Sequence, residues 1–294
     1  MNHTRVVSVV LGSYNRLDFL KLTLESIRKE LVELPHEIIV VDGGSTDGTL
    51  RWLMEQKDVI TIVQHNRGTW RGEKIQRRSW GYFMNLGFKA ANGTYVCMLS
   101  DDCLVVPGAI RNGCALFDDR RKNRESIGAV AFYWRNWPDQ KEYVVGLTLG
   151  KKMFVNHGLY LKEALEQVGY IDEETYAFYH ADGDLCLKMW EKGLAVIDSP
   201  DSYIEHFGHA NIKVKADNLT KQKQDWENYT KRWDSLFYHK ETKETGGWIT
   251  REYNDPFSTA NQFKKVKRFD LLIHGLKRSI RERLKKNTGS RRER

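Results

Sequence analysis

Apolar positions in the first 135 residues follow two alternating periods. "RVVSVVLGS" (5–13), "HEIIVVDGG" (36–44), "VITIVQH" (59–65) and "TYVCMLSDD" (94–102) are short apolar runs ended by polar or glycine-rich stretches, as buried strands are. Between them, "LDFLKLTLESIRKEL" (17–31) places Leu20, Leu24, Ile27 and Leu31 at helical spacing. "STDGTLRWLMEQ" (45–56) predicts a second helix, with Ser45 or Thr46 as its N-cap. "QRRSWGYFMNLGFKAANG" (76–93) predicts a third that stops at Asn92-Gly93, and "PGAIRNGCALF" (107–117) a fourth with Pro107 in its first turn. Strands separated by helices of this length predict an α/β fold with a parallel, doubly wound sheet. Ligands of such sheets bind beyond the carboxyl ends of the strands. Asp42, the Asp101–Asp102 pair and the loop of residues 12–16 all fall there.

The second half is less regular. "IGAVAFYWRNW" (127–137) and "KEYVVGLTLG" (141–150) predict strands of a hairpin, "YLKEALEQVGYID" (160–172) and "DLCLKMWEKG" (184–193) short helices, and "LAVID" (194–198) and "SYIEH" (202–206) two short strands. From about residue 215, "DNLTKQKQDWENYTKRWDSLF" predicts a helix with Trp226, Tyr229 and Trp233 on one face. The expected division is a catalytic unit over 1–215, with halves at 1–107 and 108–215. A helical extension over 216–261 and a basic tail over 262–294 follow.

Charge sharpens that division. The chain of 294 residues carries a net +8. Residues 263–294 hold thirteen Lys and Arg against three acids, a net of +10, so the other 262 residues sum to −2. A nucleic-acid-binding body should carry its own basic face, and a body this close to neutral argues against one. In the tail, Phe269, Leu272, Ile273, Leu276, Ile280 and Leu284 share a helical face among Lys and Arg. That pattern suits a helix lying on anionic lipid, or one docked on the body with a solvated end. No apolar run of about 18 residues predicts a spanning helix. The N-terminus lacks a signal-peptide pattern, so a cytoplasmic protein is expected, peripheral on the inner membrane face if the tail binds lipid. Cys97, Cys103, Cys114 and Cys186 form no CxxC pair and are expected as reduced core thiols.

The run "YVCMLSDD" raises the chemical question. Two adjacent carboxylates at the end of a buried strand repel each other and are costly to desolvate. They either cap the following turn or hold a hard divalent cation, which in turn binds phosphate oxygens. Neither GxGxxG nor GxxxxGK[ST] follows the first strand, which excludes a Rossmann dinucleotide site and a P-loop.

The order "VVSVVLGSYNR", "EIIVVDGGSTDGT", "ANGTYVCMLSDD" resembles the GT-A-fold glycosyltransferases of family 2, closely over 5–107 and more loosely over 150–210. The resemblance implies an inverting enzyme that uses a nucleotide-diphosphate sugar, UDP before other nucleotides, and Mn2+ or Mg2+. The products would be glycans, free or lipid-linked, as in bacterial surface polysaccharide. It implies that Gly12, Ser13, Tyr14 and Arg16 pack on the nucleotide, that Asp42 accepts from the base and Asp101 approaches the ribose. Asp102, in the DxD-like "SDD", binds the metal. The family's acidic helix start reads "YHADGDLCLKMW" here, with Ala181 in place of the usual Glu. Asp182 is then the general base and Asp184 orients its neighbours. His206 or His209 completes the metal shell, His206 fitting better. Asn156, His157 and Gly158 line the donor-sugar or acceptor pocket.

Two departures stand out. Met84 occupies the place of an Arg before "NLG". The segment "RGTWRGEKIQRRSW" is longer than usual and carries Arg67, Arg71, Lys74, Arg77 and Arg78. Arg71 or Lys74 takes over a nucleotide contact, or the segment is a solvated helix face. The rival to an enzyme is a nucleotide-sugar-binding or membrane-scaffold subunit without turnover, for which only Ala181 speaks.

Overall fold

A computed structural model of the protein describes residues 7–207, 219–241 and 245–266. The amphipathic run after residue 266 and His209 lie outside them. Among the described residues no helix is long and apolar enough to cross a membrane.

The four predicted strands form as read: β1 (Val7–Ser13), β2 (His36–Asp42), β3 (Val59–Val63) and, after the hairpin β4 (Thr69–Trp70) and β5 (Glu73–Lys74), β6 (Tyr95–Ser100). They lie parallel in the order β3-β2-β1-β6. The helices between them are α1 (Leu17–Glu30), α2 (Thr49–Glu55) and α3 (Trp80–Ala90). Leu20, Leu24, Ile27 and Leu31 are fully buried, each burial worth about 1.5–3 kcal/mol. The chain leaves β1 towards β2 and β3 and returns on its other side as β6. The carboxyl ends of β1 and β6, where Gly12 pairs Ser100, are therefore the switch point at which the sheet opens a crevice.

The remaining elements are β7 (Cys103–Val105), α4 (Ala109–Lys122), β8 (Ile127–Asn136), β9 (Tyr143–Leu147), β10 (Gly158–Leu161), α5 (Lys162–Gln167), α6 (Ala181–Glu191), β11 (Ala195–His206), α7 (Gln222–Arg232) and β12 (Gly247–Arg251). They continue the sheet as β6-β10-β8-β9-β12, with mainly antiparallel pairing. The two strands predicted at 194–198 and 202–206 are one, β11, which runs parallel to β8 with an irregularity between Ser199 and Tyr203. The 127–150 hairpin forms. The extension is helical only in part, because Gly247–Arg251 adds an edge strand to β9.

Several local expectations are corrected. The N-cap of α2 is Gly48 in a left-handed conformation, not Ser45 or Thr46. α3 starts at Trp80, capped by Ser79 Oγ, which accepts from the Tyr82 N–H at 3.1 Å. Arg77 and Arg78 therefore stand in a loop, not on a helix. α4 begins after Gly108, so Pro107 precedes it. A side chain at Gly87 would come within 2.4 Å of Val10 Cγ1, which is why "NLG" ends in glycine where α3 meets the sheet. All four cysteines are buried and none is in a disulfide. The start of the tail docks on the body: Phe263 and Val266 join Phe19, Leu22, Leu104 and Phe207 in a small second core.

Candidate active site

A cavity of about 410 Å³ opens at the switch point, within the range of small-molecule sites. Gly12, Ser13, Tyr14, Arg16, Asp101, Asp102, Asn156 and His206 of the expected set line it. Asp42, Arg71, Lys74, His157, Gly158, Asp182 and Asp184 do not.

The first loop is built by backbone geometry. Asn15 adopts a positive φ of 53°, its N–H donates to Ser45 Oγ at 2.9 Å, and its Oδ1 accepts from the Thr46 N–H at 2.7 Å. Asp42 explains why the second loop stays in place. It is fully buried, and Oδ1 accepts from the N–H groups of Gly44 and Ser45 at 2.8 and 2.7 Å while Oδ2 accepts from Ser45 Oγ at 2.6 Å. Three of its four acceptor sites thus hold the "GGS" turn. Tyr14 packs against Gly43, where an added Cβ would lie 3.2 Å from the ring, and Arg67 stacks over Tyr14 at 5.3 Å.

At the acidic end, Arg16 Nη1 donates to Asp101 Oδ1 and to Asp102 Oδ2, both at 2.7 Å. Burial opposes the charge on Arg16, but the two carboxylates outweigh it and raise its pKa. Burial lifts the pKa of Asp101 to about 6 against the pull of Arg16. Asp102 goes the other way: burial favours its neutral form, yet the Arg16 guanidinium holds it well below the usual carboxylate range.

His206 reaches Asp102 because β11 pairs antiparallel with β7, with His206 opposite Cys103, and the Phe207 N–H donates to the Asp102 carbonyl at 2.9 Å. On its other side, His206 pairs Asn136 of β8, and Nδ1 lies 2.7 Å from Asn136 Oδ1. With Nδ1–H donating there, Nε2 keeps its lone pair and faces Asp102 Oδ1 at 3.3 Å. Two acceptors then point at each other, and buried Asp102 Oδ1 and Asp101 Oδ2 have no hydrogen-bond partner. A cation resolves that arrangement, so Asp102 and His206 fit a divalent ion, with Asn136 fixing the orientation of the imidazole through Nδ1. Glu205, next in β11, is anchored in the same way by Arg135 at 2.7 and 2.9 Å and by Tyr143 Oη at 2.6 Å.

His157 lies behind this centre, fully buried rather than in the pocket. Burial above all pushes its pKa down to about 3, so it is neutral. Cys103, His157 and His206 bring ligand atoms within 4.8 Å of one another. Cys103 Sγ, however, is 3.9 and 3.7 Å from the two His157 nitrogens. Near-equal distances mean that neither lone pair is aimed at the sulfur, so the three do not focus on one point.

The acidic helix start sits to one side. Asp182, half-buried in the first turn of α6, interacts with Asn156, which does line the cavity, and its pKa is raised, by burial above all. Asp184 is fully buried and accepts from Tyr176 Oη and Trp233 Nε1, both at 3.0 Å, with Arg232 Nε at 3.1 Å. It is a packing anchor between α6 and α7. Ala181 is fully buried, a place a Glu would fill only with its charge desolvated. Gly158 lies inside β10. Arg71 and Lys74 sit on the exposed β4–β5 hairpin, whereas Arg67, Arg77 and Arg78 line the cavity.

Sequence reasoning missed two further residues. Asn136 gives no local signal; only the β8–β11 register brings it to His206. Asp225 was legible as the one acid beside Trp226 on the apolar face of α7. Buried, it accepts from the N–H groups of Ala177, Phe178 and Tyr179 at 2.9, 2.9 and 2.8 Å, fixing the loop that walls the cavity.

Comparison with known proteins places the chain in a family and a fold. The family model for glycosyl transferase family 2 matches residues 8–167. An uncharacterized protein of Sinorhizobium fredii, y4gI, is 24% identical over 301 aligned residues, 89% of this chain but 29% of its own length. This chain thus spans less than a third of that relative. An uncharacterized glycosyltransferase of Bacillus subtilis, YwdF, is 24% identical over 237 residues, covering 74% of this chain and 80% of that protein. Among solved structures, S. aureus TarS 1–349 in complex with UDP-GlcNAc superposes with a TM-score of 0.56 at 15% identity, over 81% of this chain and 69% of the other. The mannosyltransferase PcManGT from Pyrobaculum calidifontis, in complex with GDP-Man and Mn2+, gives 0.51 at 21% identity, over 73% and 62%. These structural likenesses show a shared fold.

Proposed function

Since the chain belongs to glycosyl transferase family 2, we propose that the cavity binds a nucleotide-diphosphate sugar, UDP-linked in the first instance, and that the protein transfers its sugar with inversion to a glycan hydroxyl. The observation that carries this is the pairing of Asp102 Oδ1 with His206 Nε2 at 3.3 Å on the wall of a cavity at the sheet's switch point. Tyr14, flanked by Arg67, offers a stacking face for a base, and Ser13 and Asp101 stand where a ribose would follow. Mn2+ or Mg2+ held by Asp102 and His206 would offset the charge developing on the diphosphate leaving group. Asp182 is assigned as general base: burial raises its proton affinity, so it takes a hydroxyl proton more readily than an exposed Asp. Asn156 orients it towards the cavity.

The acceptor is proposed to be a surface glycan, free or lipid-linked, and the basic run after residue 262 to hold the enzyme at an anionic membrane face. Calorimetric titration with UDP, GDP, dTDP and CMP, with and without Mn2+, tests the donor site. Metal-dependent binding of one nucleotide, abolished in Asp102→Asn, is the expected result. A folded protein that binds none of them refutes the proposal.

A further inference from the structure

The acidic pair already holds a cation that belongs to the chain. Arg16 Nη1 stands between Asp101 Oδ1 and Asp102 Oδ2, 2.7 Å from each. The two carboxylates are 4% exposed and the Arg16 side chain 22%, from the cavity side. Arg16 is the last residue before α1, with φ −140° and ψ 38°, outside helical geometry. Its side chain therefore leaves a loop end, from which it can swing without unwinding a turn.

Two buried carboxylates and one guanidinium sum to −1, half of what a dication would find if Arg16 were absent. A second cation beside Nη1 also meets repulsion that water screens poorly at this depth. A diphosphate in the cavity supplies the missing charge and a competing partner for the same guanidinium, whose fork suits phosphate oxygens as well as carboxylates.

Resting on the donor reading above, we infer that Arg16 is an internal counter-cation which keeps Asp101 and Asp102 from taking a divalent ion until a nucleotide diphosphate draws it away, so that metal and donor bind as a pair. Such coupling is reciprocal: the nucleotide raises metal affinity by the factor by which metal raises nucleotide affinity.

The test is a Mn2+ titration of the whole protein without nucleotide, reading free Mn2+ by its electron paramagnetic resonance signal, and then with UDP or GDP. Wild type is expected to bind Mn2+ weakly alone and more tightly with nucleotide. Arg16→Met is expected to bind Mn2+ alone about tenfold more tightly or better, the scale of losing one charge-assisted hydrogen bond, and adding Asp102→Asn should remove the gain. A merely structural role would move affinity the other way, because a disordered site binds less. Arg16→Gln, which keeps a polar neutral fork, is the second variant should Arg16→Met fold poorly. If the folded variants bind Mn2+ no better than wild type, while wild type still takes up Mn2+ with nucleotide, the inference is overturned and the donor site stands. If wild type takes up no Mn2+ with either nucleotide, the donor reading falls and the inference with it.

Discussion

Asp225→Asn isolates what α7 does for the cavity. In wild type one carboxylate oxygen accepts from Ala177 and the other from Phe178 and Tyr179, at 2.8–2.9 Å, and the side chain is buried. An amide keeps one oxygen. Placed on the Phe178 and Tyr179 side it retains two bonds, now neutral, and turns an N–H2 towards the Ala177 N–H. Charge-assisted bonds contribute about 1.5–3 kcal/mol and neutral ones about 0.5–1.5, so each retained bond weakens by about 1 kcal/mol. An orphaned buried N–H costs a further 1–3 kcal/mol or so. Allowing for relaxation of the loop, the expected loss is about 2–4 kcal/mol, a large part of a typical stability of about 5–15 kcal/mol. Urea unfolding should show a lowered midpoint at unchanged slope. Asp225→Ala, which strands all three donors, should lose more. Nucleotide affinity should fall in step, because Ala177, Phe178 and Tyr179 line the cavity. A loss under about 0.5 kcal/mol, the level of an ordinary surface change, would refute the assigned role.

Other consequences are as specific. Asn136→Ala frees the His206 ring and is expected to weaken Mn2+ binding in the presence of nucleotide by about 10–100-fold, as loss of a side chain that orients a metal-binding imidazole does, with thermal stability little changed; unchanged metal affinity would contradict the orientation argument. Asp182→Asn should lower transfer by about 10²–10⁴-fold while sparing nucleotide affinity. Because the base acts unprotonated and burial raises its pKa, the wild-type rate should fall as pH drops through a value above that of an ordinary Asp; a rate flat through that range removes Asp182 as the base. Arg67→Ala and Arg78→Ala, on the cavity wall, should weaken nucleotide binding, whereas Arg71→Ala and Lys74→Ala, on the exposed hairpin, should not; calorimetry on the four variants separates the cases.

The sequence by itself determined the alternation of strands and helices over the first 135 residues, and with it the place of "GSYNR" and "SDD" at carboxyl ends. Those features are local: periods of two and 3.6 residues report which face of an element is buried, whatever packs on it. The same locality explains the misplaced starts of α2, α3 and α4, where a turn residue or a distant side chain sets the boundary. Glu30 of α1, for instance, accepts from the N–H groups of Gly108, Ile110 and Arg111.

Only the tertiary structure decided which polar groups face the cavity. Asp42 and Asp102 both end apolar strands, yet one holds its own turn and the other meets His206 from 104 residues away along the chain. Asn136 reaches His206 across 70 residues, and Asp225 reaches the Ala177–Tyr179 loop across 46–48. The bond a buried charge makes depends on strand register and helix docking, which minimise the free energy of the whole sheet. No window of sequence contains both partners, so their chemistry is settled only when the fold closes.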